Sequence, residues 1–333
     1  TTKVYYLVEE ICKGIRNMKV LLTGSCGFIF SNFVIYALQK TDWELISVDK
    51  ITYAGSLLNV PHQIKRHKLY IGDVCDYHFI RKVFEIEKPD IVIHGAADSH
   101  VDNSIQDSSV FVQTNIAGTH SMLEASLKVH TPQKFIMIES DEVYGSINQG
   151  YFKETDVLNP RNPYAASKAA AGLLSKSYFT TFGLPVITTR CCNNMGPRQH
   201  VEKFIPKAIT NLLQNKKIPL YGDGKNKREW IYVMDHFEAL KTIIEKGVVG
   251  ETYNIGTGQE KENIEVLETI LELMGKGKEN IEYVKDRLGH DRRYAVDSSK
   301  IRALGWKPEF EFKESLAHVI NWYHLNRWFL RNK

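Results

Sequence analysis

Short apolar runs that alternate with helical stretches dominate the first part of the chain. The apolar runs cover residues 18–23, 45–49, 68–73, 91–94, 135–140 and 185–190. Residues of helical composition lie between them at 31–40, 80–87, 115–129 and 163–182. Apolar strands that alternate with helices of these lengths predict an α/β fold, a doubly wound parallel sheet of the Rossmann type.

This alternation ends after residue 195, which predicts a second structural unit. We expect a Rossmann domain over 18–195, completed by a return segment at about 230–258. Residues 196–229, with two helix-like stretches, and 259–333 are predicted to form a smaller mixed α/β lobe over the carboxyl ends of the strands. Residues 1–17 form an N-terminal extension, with apolar residues spaced for one helix face at Val4, Leu7, Val8 and Ile11.

Composition and charge exclude several classes of protein. The 333 residues carry a formal charge of +4 and no basic tract, so we expect no nucleic-acid partner. No apolar run reaches the ~18 residues of a membrane span, and we expect a cytoplasmic protein with no membrane partner. The five cysteines form no CxxC motif, which argues against a disulfide framework and against a metal site.

A glycine-rich turn between the first apolar run and the first helix predicts a dinucleotide site. Gly24 and Gly27 let backbone N–H groups approach a pyrophosphate at the helix N-terminus. Asp49 ends the second run, where a carboxylate accepts bonds from ribose hydroxyls and repels a 2′-phosphate, which favours NAD over NADP. Phe30 stands where a third glycine normally allows close packing, so we expect the helix to lie further from the sheet.

Tyr164 and Lys168 open a predicted helix, on which residues i and i+4 are neighbours. A lysine in this place favours the tyrosinate and brings a phenol pKa of ~10 toward neutral pH. The pair is suited to moving a hydride between a sugar alcohol and a nicotinamide. The same spacing recurs at two sites that we set aside, Tyr36/Lys40 in the first helix and Tyr221/Lys225 across a Gly-Asp-Gly turn.

Asp141 and Glu142 follow the fifth apolar run, at the predicted ligand edge of the sheet. Adjacent acids are usually solvated loop residues, but this location favours a function. Two carboxyl groups in different environments can divide the roles of acid and base, as the removal of water requires.

These motifs together resemble the extended short-chain dehydrogenase/reductases, and within them the nucleotide-sugar 4,6-dehydratases of the dTDP-glucose 4,6-dehydratase type. The resemblance runs from about Met18 to Arg327. Its motifs lie at 49–55, 96–102, 140–145, 164–168, 191–197, 228–230 and 289–294. Other branches of the superfamily share the glycine turn and the Tyr/Lys pair, but usually not the Asp-Glu pair.

The resemblance implies a reaction in three steps on a nucleotide-diphosphate sugar, with NAD as the cofactor. Tyr164 takes the proton from the sugar O4 while NAD takes the C4 hydride; Lys168 supports Tyr164, and Ser140, in place of the usual threonine, polarises O4. Glu142 then removes the C5 proton, and Asp141 protonates the departing C6 hydroxyl. The hydride finally returns to C6.

The resemblance also assigns binding residues. Those implied for the cofactor are Gly24, Gly27, Phe28, Ile29, Asp49, Lys50, Asp73, Val74, Ala96, Ala97, Ser99, Thr114, Tyr164, Lys168 and Cys191. Those implied for the substrate are Asn193, Glu202, Lys203, Phe204, Pro219, Tyr221, Arg228, Asn263, Arg287 and His290. Arg228 and Arg287 would hold the diphosphate, which suits the guanidinium fork. Members of the family commonly form homodimers through a bundle that includes the Tyr164 helix, and the Ala-rich segment 169–172 permits this.

Three alternatives stay open at the level of sequence. A nucleotide-sugar 4-epimerase needs only the Tyr/Lys pair, a UDP-uronic acid decarboxylase releases carbon dioxide, and a binding protein for NAD or a nucleotide sugar needs no turnover. The base of the substrate is also open, because the one methyl that separates thymine from uracil is worth only ~1–3 kcal/mol in a pocket. Asp98 and Met195 differ from the family's usual glutamate and tyrosine, but neither change removes a reacting group.

Overall fold

The computed structural model describes residues 17–61, 64–286 and 288–331, with side chains described up to Phe329. The predicted helix of the N-terminal extension and the predicted diphosphate ligand Arg287 lie outside the described residues.

A seven-stranded parallel sheet forms the larger part of the structure. Its strands are β1 (Lys19–Thr23), β2 (Glu44–Asp49), β3 (His67–Ile71), β4 (Ile91–His94), β5 (Lys134–Ser140), β6 (Val186–Cys191) and β10 (Thr252–Ile255). Their order across the sheet is β10-β6-β5-β4-β1-β2-β3. The strand order reverses between β1 and β4, and ligands of open α/β sheets bind outside the carboxyl ends at such a point.

Helices cover both faces of this sheet. They are α1 (Phe28–Lys40), α2 (Tyr77–Glu87), α3 (Val101–Gln106), α4, α5 (Pro163–Phe182) and α7 (Val233–Lys246). Helix α4 begins as Ser109–Phe111, continues as a π-helix over Val112–Ala117 and ends as Gly118–Lys128; single 3₁₀ turns cover Leu57–Asn59 and Asp141–Tyr144. Helix α5 starts at Pro163 as predicted, because the Asn162 side chain caps it by accepting the Ala165 N–H at 2.8 Å.

Alternate residues of each central strand enter different cores. Leu22 and Ile93 pack with α1 and α7, whereas Leu21 and Val92 pack with α2, α4 and α5. Since both faces are covered, the strands are apolar throughout, which is why short apolar runs predicted a doubly wound sheet. That prediction of the fold is confirmed.

The smaller lobe contains two short sheets and a second core. Strands β7 (Asn193–Met195), β9 (Lys227–Tyr232) and β11 (Glu260–Glu262) form one sheet in the order β11-β9-β7, and β8 (Ile218–Tyr221) pairs with β12 (Ile281–Val284). The helices of this lobe are α6 (Phe204–Leu213), α8 (Asn263–Met274), α10 (Phe312–Leu325) and α11 (Trp328–Arg331), with a 3₁₀ turn at Lys278–Asn280. The short helix α9 (Ser299–Ala303) packs instead on β10 of the main sheet, where Ile301 joins the core formed with α1 and α7. In the described part of the chain, no helix is both long and apolar enough to cross a membrane.

The segment 196–229, all of which the structure describes, holds one helix rather than the predicted two. After α6 the chain enters β8, where Ile218 and Leu220 are buried as alternate residues. Their partners lie in β12, about sixty residues later in the sequence, with Ile281 beside Ile218. Pairing with a distant segment therefore decides the structure here, where local composition suggested a helix.

Candidate active site

One large cavity lies between the carboxyl edge of the main sheet and the smaller lobe. Its volume is about 480 Å³, within the range of ~300–1,000 Å³ common for small-molecule sites. The predicted cofactor residues that line it are Gly24, Gly27, Phe28, Ile29, Asp49, Lys50, Val74, Ala96, Ala97, Ser99, Thr114, Tyr164, Lys168 and Cys191. The predicted substrate residues that line it are Asn193, Glu202, Lys203, Phe204, Pro219, Tyr221, Arg228, Asn263 and His290. The two predicted sets therefore meet in one space.

Asp73 and Asp141 are predicted site residues that lie outside the cavity lining. The Asp73 carboxylate is 3.4 Å from Lys50 Nζ, which also donates to Thr114 Oγ1 at 3.1 Å. Lys50 and Thr114 do line the cavity, so Asp73 contributes to the site by holding the Lys50 ammonium group in place. Asp141 is buried behind Ser140 and Glu142, which both line the cavity.

The glycine turn leads from β1 into α1 as predicted. Gly24 has a φ of 77°, a left-handed conformation, and a Cβ on it would lie only 2.9 Å from Ala96 Cα. Gly27 is the N-cap of α1 and offers no capping side chain. The first N–H groups of α1 are thus left for a ligand, and an anion is the ligand that a helix N-terminus favours.

Asp49 stands at the end of β2 and lines the same part of the cavity. Its two carboxylate oxygens accept the backbone N–H groups of Cys26 at 2.8 Å and Ile51 at 2.7 Å. These bonds fix the carboxylate between the glycine turn and the loop after β2. Each oxygen keeps a lone pair for a further donor, such as a ribose hydroxyl.

Phe30, for which the sequence predicts a greater distance between helix and sheet, lies next to Gly95. Its ring is buried, and a Cβ on Gly95 would overlap Cε2 of that ring. The room for the ring therefore comes from the missing side chain at Gly95, directly after β4.

Tyr164 and Lys168 are both buried on the first turns of α5. The Tyr164 N–H donates to Ser104 Oγ at 3.3 Å, and its ring meets the Phe111 ring edge-on at 6.4 Å. Burial raises the pKa of Tyr164, and the Glu142 charge adds to this, while a hydrogen bond with Ser140 opposes it. The predicted lowering of this phenol pKa is not found, because burial is the larger effect. Burial also lowers the pKa of Lys168 to about 8.

Asp141 and Glu142 begin the 3₁₀ turn that follows β5, and their environments differ. Ser140 Oγ accepts the Glu142 N–H and donates to Asp141 Oδ1, both at 3.3 Å. Burial and then the neighbouring Glu142 charge raise the pKa of Asp141 well above its usual value. Glu142 is half-buried, faces the cavity and accepts a bond from Asn162 Nδ2 at 3.4 Å. The site thus offers a buried acid whose protonated form is favoured, next to a carboxylate that faces the cavity.

Arg228 is held rigidly in the wall that the smaller lobe contributes. Its Nη1 donates to the Lys227 carbonyl and its Nη2 to the Asp291 carbonyl, both at 2.7 Å. The guanidinium carbon lies 4.2 Å from the centre of the Tyr294 ring. A positive charge fixed in this way can bind an anionic group of a ligand at low entropic cost.

Glu202 and Lys203 bring the lobe into contact with the sheet domain. The Tyr53 hydroxyl donates to Glu202 Oε1 at 3.1 Å, and Lys203 Nζ donates to the Ser99 carbonyl at 2.6 Å. Both bonds join the two units, and Ser99, Glu202 and Lys203 line the cavity, so ligand groups bound beside them would contact both units.

Several residues that line the cavity have no role predicted from the sequence, among them Glu139, Trp230 and His236. Trp230 belongs to the motif at 228–230, so that motif could have identified it; its ring stacks on Phe204 at 6.2 Å. His236 Nδ1 lies 2.9 Å from Asn194 Oδ1. Glu139 is an acid inside an apolar run, and no motif marks it.

Comparison with known proteins gives a consistent picture. The model of the GDP-mannose 4,6 dehydratase family matches residues 21–319. A low-salt glycan biosynthesis protein, Agl12, from Haloferax volcanii is 46% identical over 92% of this chain and 98% of its own length. A dTDP-glucose 4,6-dehydratase from Xanthomonas campestris pv. campestris is 41% identical over 92% of this chain and 93% of its own length.

A solved structure extends the similarity to the fold. DesIV, a dTDP-glucose 4,6-dehydratase from Streptomyces venezuelae with NAD and TYD bound, superposes with a TM-score of 0.92 and is 40% identical. The match covers 95% of this chain and 100% of the DesIV chain. The fold thus has a counterpart along nearly the whole chain.

Proposed function

The chain belongs to the GDP-mannose 4,6 dehydratase family, and we propose that it is an NAD-dependent hydro-lyase that converts dTDP-glucose to the 4-keto-6-deoxy-glucose nucleotide. The observation that carries this proposal is the pair Asp141 and Glu142, one carboxyl buried and one facing the cavity beside Ser140. A 4-epimerase, which needs only the tyrosine and lysine, gives no reason for such a pair. The identity of 41% to a dTDP-glucose 4,6-dehydratase supports the thymine nucleotide as substrate.

The glycine turn and its surroundings fit NAD. When bound, NAD supplies an acceptor for the hydride from C4 and gives that hydride back to C6. Gly24, Gly27 and the N-terminus of α1 would hold the pyrophosphate, and Asp49 would accept bonds from the adenosine ribose. Lys168 would hold the nicotinamide ribose. The fixed carboxylate of Asp49 repels a 2′-phosphate, which favours NAD over NADP.

Tyr164 takes the proton of the sugar O4 in the first step. Its buried phenol resists ionisation, so it needs a positive charge nearby when it acts as a base. Lys168, one helical turn away, supplies that charge. Ser140 Oγ, which donates to Asp141 Oδ1 in the structure, would turn its one proton to the substrate O4 and so polarise the developing ketone.

Glu142 and Asp141 then remove water across C5 and C6. The ketone at C4 makes the C5 proton acidic, and Glu142 faces the cavity as the carboxylate that accepts it. Glu142 would return this proton to C5 when the hydride reaches C6, which gives the 4-keto-6-deoxy sugar. Burial and then the Glu142 charge raise the pKa of Asp141, which favours its protonated form, so Asp141 is the acid that would protonate the leaving hydroxyl of C6. The two roles follow from the two environments.

The smaller lobe would bind the nucleotide diphosphate. Arg228, fixed by two carbonyls and the Tyr294 ring, would hold the diphosphate together with Arg287. The other residues that we assign to the sugar nucleotide are Asn193, Glu202, Lys203, Phe204, Pro219, Tyr221, Asn263 and His290. Their position opposite the sheet edge supports a substrate that spans both units.

We also propose that the enzyme is a cytoplasmic homodimer. Leu173 on α5 is 61% exposed, and Val110 and Val112 are exposed on the neighbouring helix α4. Apolar side chains that cluster on adjoining helices suit an isologous interface with a second copy. The cysteines Cys26, Cys75, Cys191 and Cys192 are free thiols, which suits a reducing compartment.

Mass spectrometry of the product tests the proposal. Purified protein shown to contain NAD is incubated separately with dTDP-glucose and UDP-glucose. Loss of one water from dTDP-glucose alone is the expected result, and loss from both would mean that the base pocket tolerates uracil. Unchanged mass with both donors would overturn the dehydratase proposal, and formation of UDP-galactose would favour an epimerase.

A further inference from the structure

Glu139 is a buried acid that none of the steps above uses. It is the last residue of β5 before Ser140, and it lines the cavity. Only 4% of the residue is exposed. Carboxylates are almost never buried to this degree without a compensating partner, so neighbouring groups must offset the cost of burying this one.

A gap in α5 makes room for the Glu139 carboxylate. Gly172 follows Lys168 by one helical turn, so both lie on one face of α5. A Cβ on Gly172 would overlap Oε1 of Glu139. The carboxylate therefore lies against the helix backbone, on the same face as the buried side chain of Lys168.

Arg190 fixes the other side of this carboxylate. Its Nε donates to Oε2 of Glu139 at 2.6 Å, and its Nη1 donates to the Tyr144 hydroxyl at 2.7 Å. The Tyr144 hydroxyl in turn donates to Asn254 Oδ1 at 2.8 Å. Oε1 of Glu139 has no hydrogen-bond partner among the residues that the structure describes. One oxygen is thus anchored, and the other lies at the face of α5 that carries Lys168.

We propose that Glu139 is a positioning residue for Lys168, whose carboxylate keeps the lysine charged and in place beside Tyr164. Burial lowers the pKa of Lys168, and the Glu139 charge opposes this effect. His94 on β4 also faces Lys168, but burial lowers the pKa of His94 to about 3, so its ring is neutral near pH 7. Tyr164 lies on α5 itself, one helical turn before Lys168. The effect on rate rests on the proposed function, whereas the effect on the charge of Lys168 does not.

Loss of the Glu139 charge should lower the pKa of Lys168. Removal of the Glu139 charge takes away an attraction that favours the ammonium form, so the pKa of Lys168 falls from about 8. A neutral Lys168 no longer favours the tyrosinate of Tyr164. We therefore expect the alkaline limb of the pH profile of kcat to move to lower pH in Glu139→Gln.

The direct test is a pH titration of Lys168 in the full chain with its cofactor. The signals of the ¹⁵N-labelled lysine ammonium groups, recorded by NMR at each pH, give the titration midpoint. Lys168→Met assigns the signal. Glu139→Gln should lower the titration midpoint by about one unit or more, the size expected for loss of a close opposite charge. Glu87→Gln is the control, because Glu87 is equally buried but pairs with Lys19 and Lys68 away from the cavity. An unchanged Lys168 midpoint in Glu139→Gln would overturn the proposal, whatever the substrate proves to be.

A rescue variant separates this role from a structural one. Glu139→Ala combined with Gly172→Asp returns a carboxylate to the same space from the helix side, since the Cβ of residue 172 would lie where Oε1 now lies. We expect the Lys168 midpoint and the pH profile to return toward those of the parent. Glu139→Gln alone leaves the buried guanidinium of Arg190 without its carboxylate partner. The double variant Glu139→Gln with Arg190→Met removes that cation as well, and it should still show a lowered titration midpoint of Lys168. Normal Lys168 titration in that folded variant would contradict the proposal.

Discussion

The aromatic ring of Phe30 occupies the space that a side chain at position 95 would fill. A Cβ on Gly95 would overlap the ring, which also lies 6.0 Å from the Phe33 ring in the core on that face of the sheet. A large residue on α1 thus faces an empty position after β4. In the usual pattern a glycine on the helix leaves room between helix and strand, and here the missing side chain at position 95 leaves that room.

This relationship predicts strong coupling between the two positions. Gly95→Leu alone overpacks the site at a cost of ~1–3 kcal/mol, and Phe30→Gly alone leaves a cavity at a cost of ~3–5 kcal/mol. In the double variant the leucine enters the vacated space, so its destabilisation should be smaller than the sum by more than ~1 kcal/mol. Urea unfolding of the four proteins measures this, and additive free energies of unfolding would contradict the account.

Asp141→Asn should abolish dehydration and stabilise the protein at neutral pH. Because burial raises the pKa of Asp141, the folded protein holds a proton that the unfolded chain releases above about pH 4. The unfolding free energy of the parent therefore falls as pH rises from there toward the raised pKa, and the asparagine variant lacks this loss. Thermal unfolding should show a gain for the variant at about pH 8 that shrinks toward about pH 4. A gain that is independent of pH would show that Asp141 is not the group responsible.

Arg228→Lys should weaken substrate binding more than it slows turnover. The lysine keeps the charge but loses the fork that two carbonyls and the Tyr294 ring hold in place. We expect KM to rise by roughly tenfold or more, the size of one lost charge-assisted bond, with a smaller change in kcat. Arg292→Lys is the matched control, since Arg292 is exposed and pairs with Asp223. Equal effects of the two variants would argue against a diphosphate role for Arg228.

Leu173→Glu should convert the proposed dimer to monomers. The side chain lies on the exposed face of α5 and would place a charge in the interface, where an unpaired charge is costly. Light scattering after size-exclusion chromatography measures the mass. Val157→Glu is the control, because Val157 is 84% exposed in the segment between β5 and α5. A parent protein that is already monomeric at micromolar concentration would refute the dimer.

The main sheet could be predicted because its strands are buried on both faces and its helices follow local rules. Pro163 opens α5 and the apolar run 91–94 is β4, since burial and capping act within a few residues of sequence. The strand β8 could not be predicted in the same way. Its register depends on β12, and local composition carries no record of that partner.

The site residues that belong to sequence motifs could be predicted, whereas those whose position depends on tertiary packing could not. The glycine turn, the Tyr164/Lys168 pair and the Asp141/Glu142 pair each depend on neighbours in sequence. All of these except Asp141, which is buried behind Ser140 and Glu142, line one cavity. The placement of Glu139 depends instead on the gap at Gly172, thirty-three positions away. The raised pKa of Tyr164 likewise results from burial, and burial cannot be inferred from the spacing of residues in a motif.

The central claim is that Glu142 removes the C5 proton after C4 has been oxidised. In Glu142→Gln, with Glu245→Gln on the surface of α7 as the control, the variant is mixed with dTDP-glucose in a single turnover while the absorbance of reduced nicotinamide and the sugar mass are followed. We expect reduced cofactor to accumulate on the variant and the sugar nucleotide to lose no water, while the control behaves like the parent. Dehydration by Glu142→Gln at the parent rate would contradict the account.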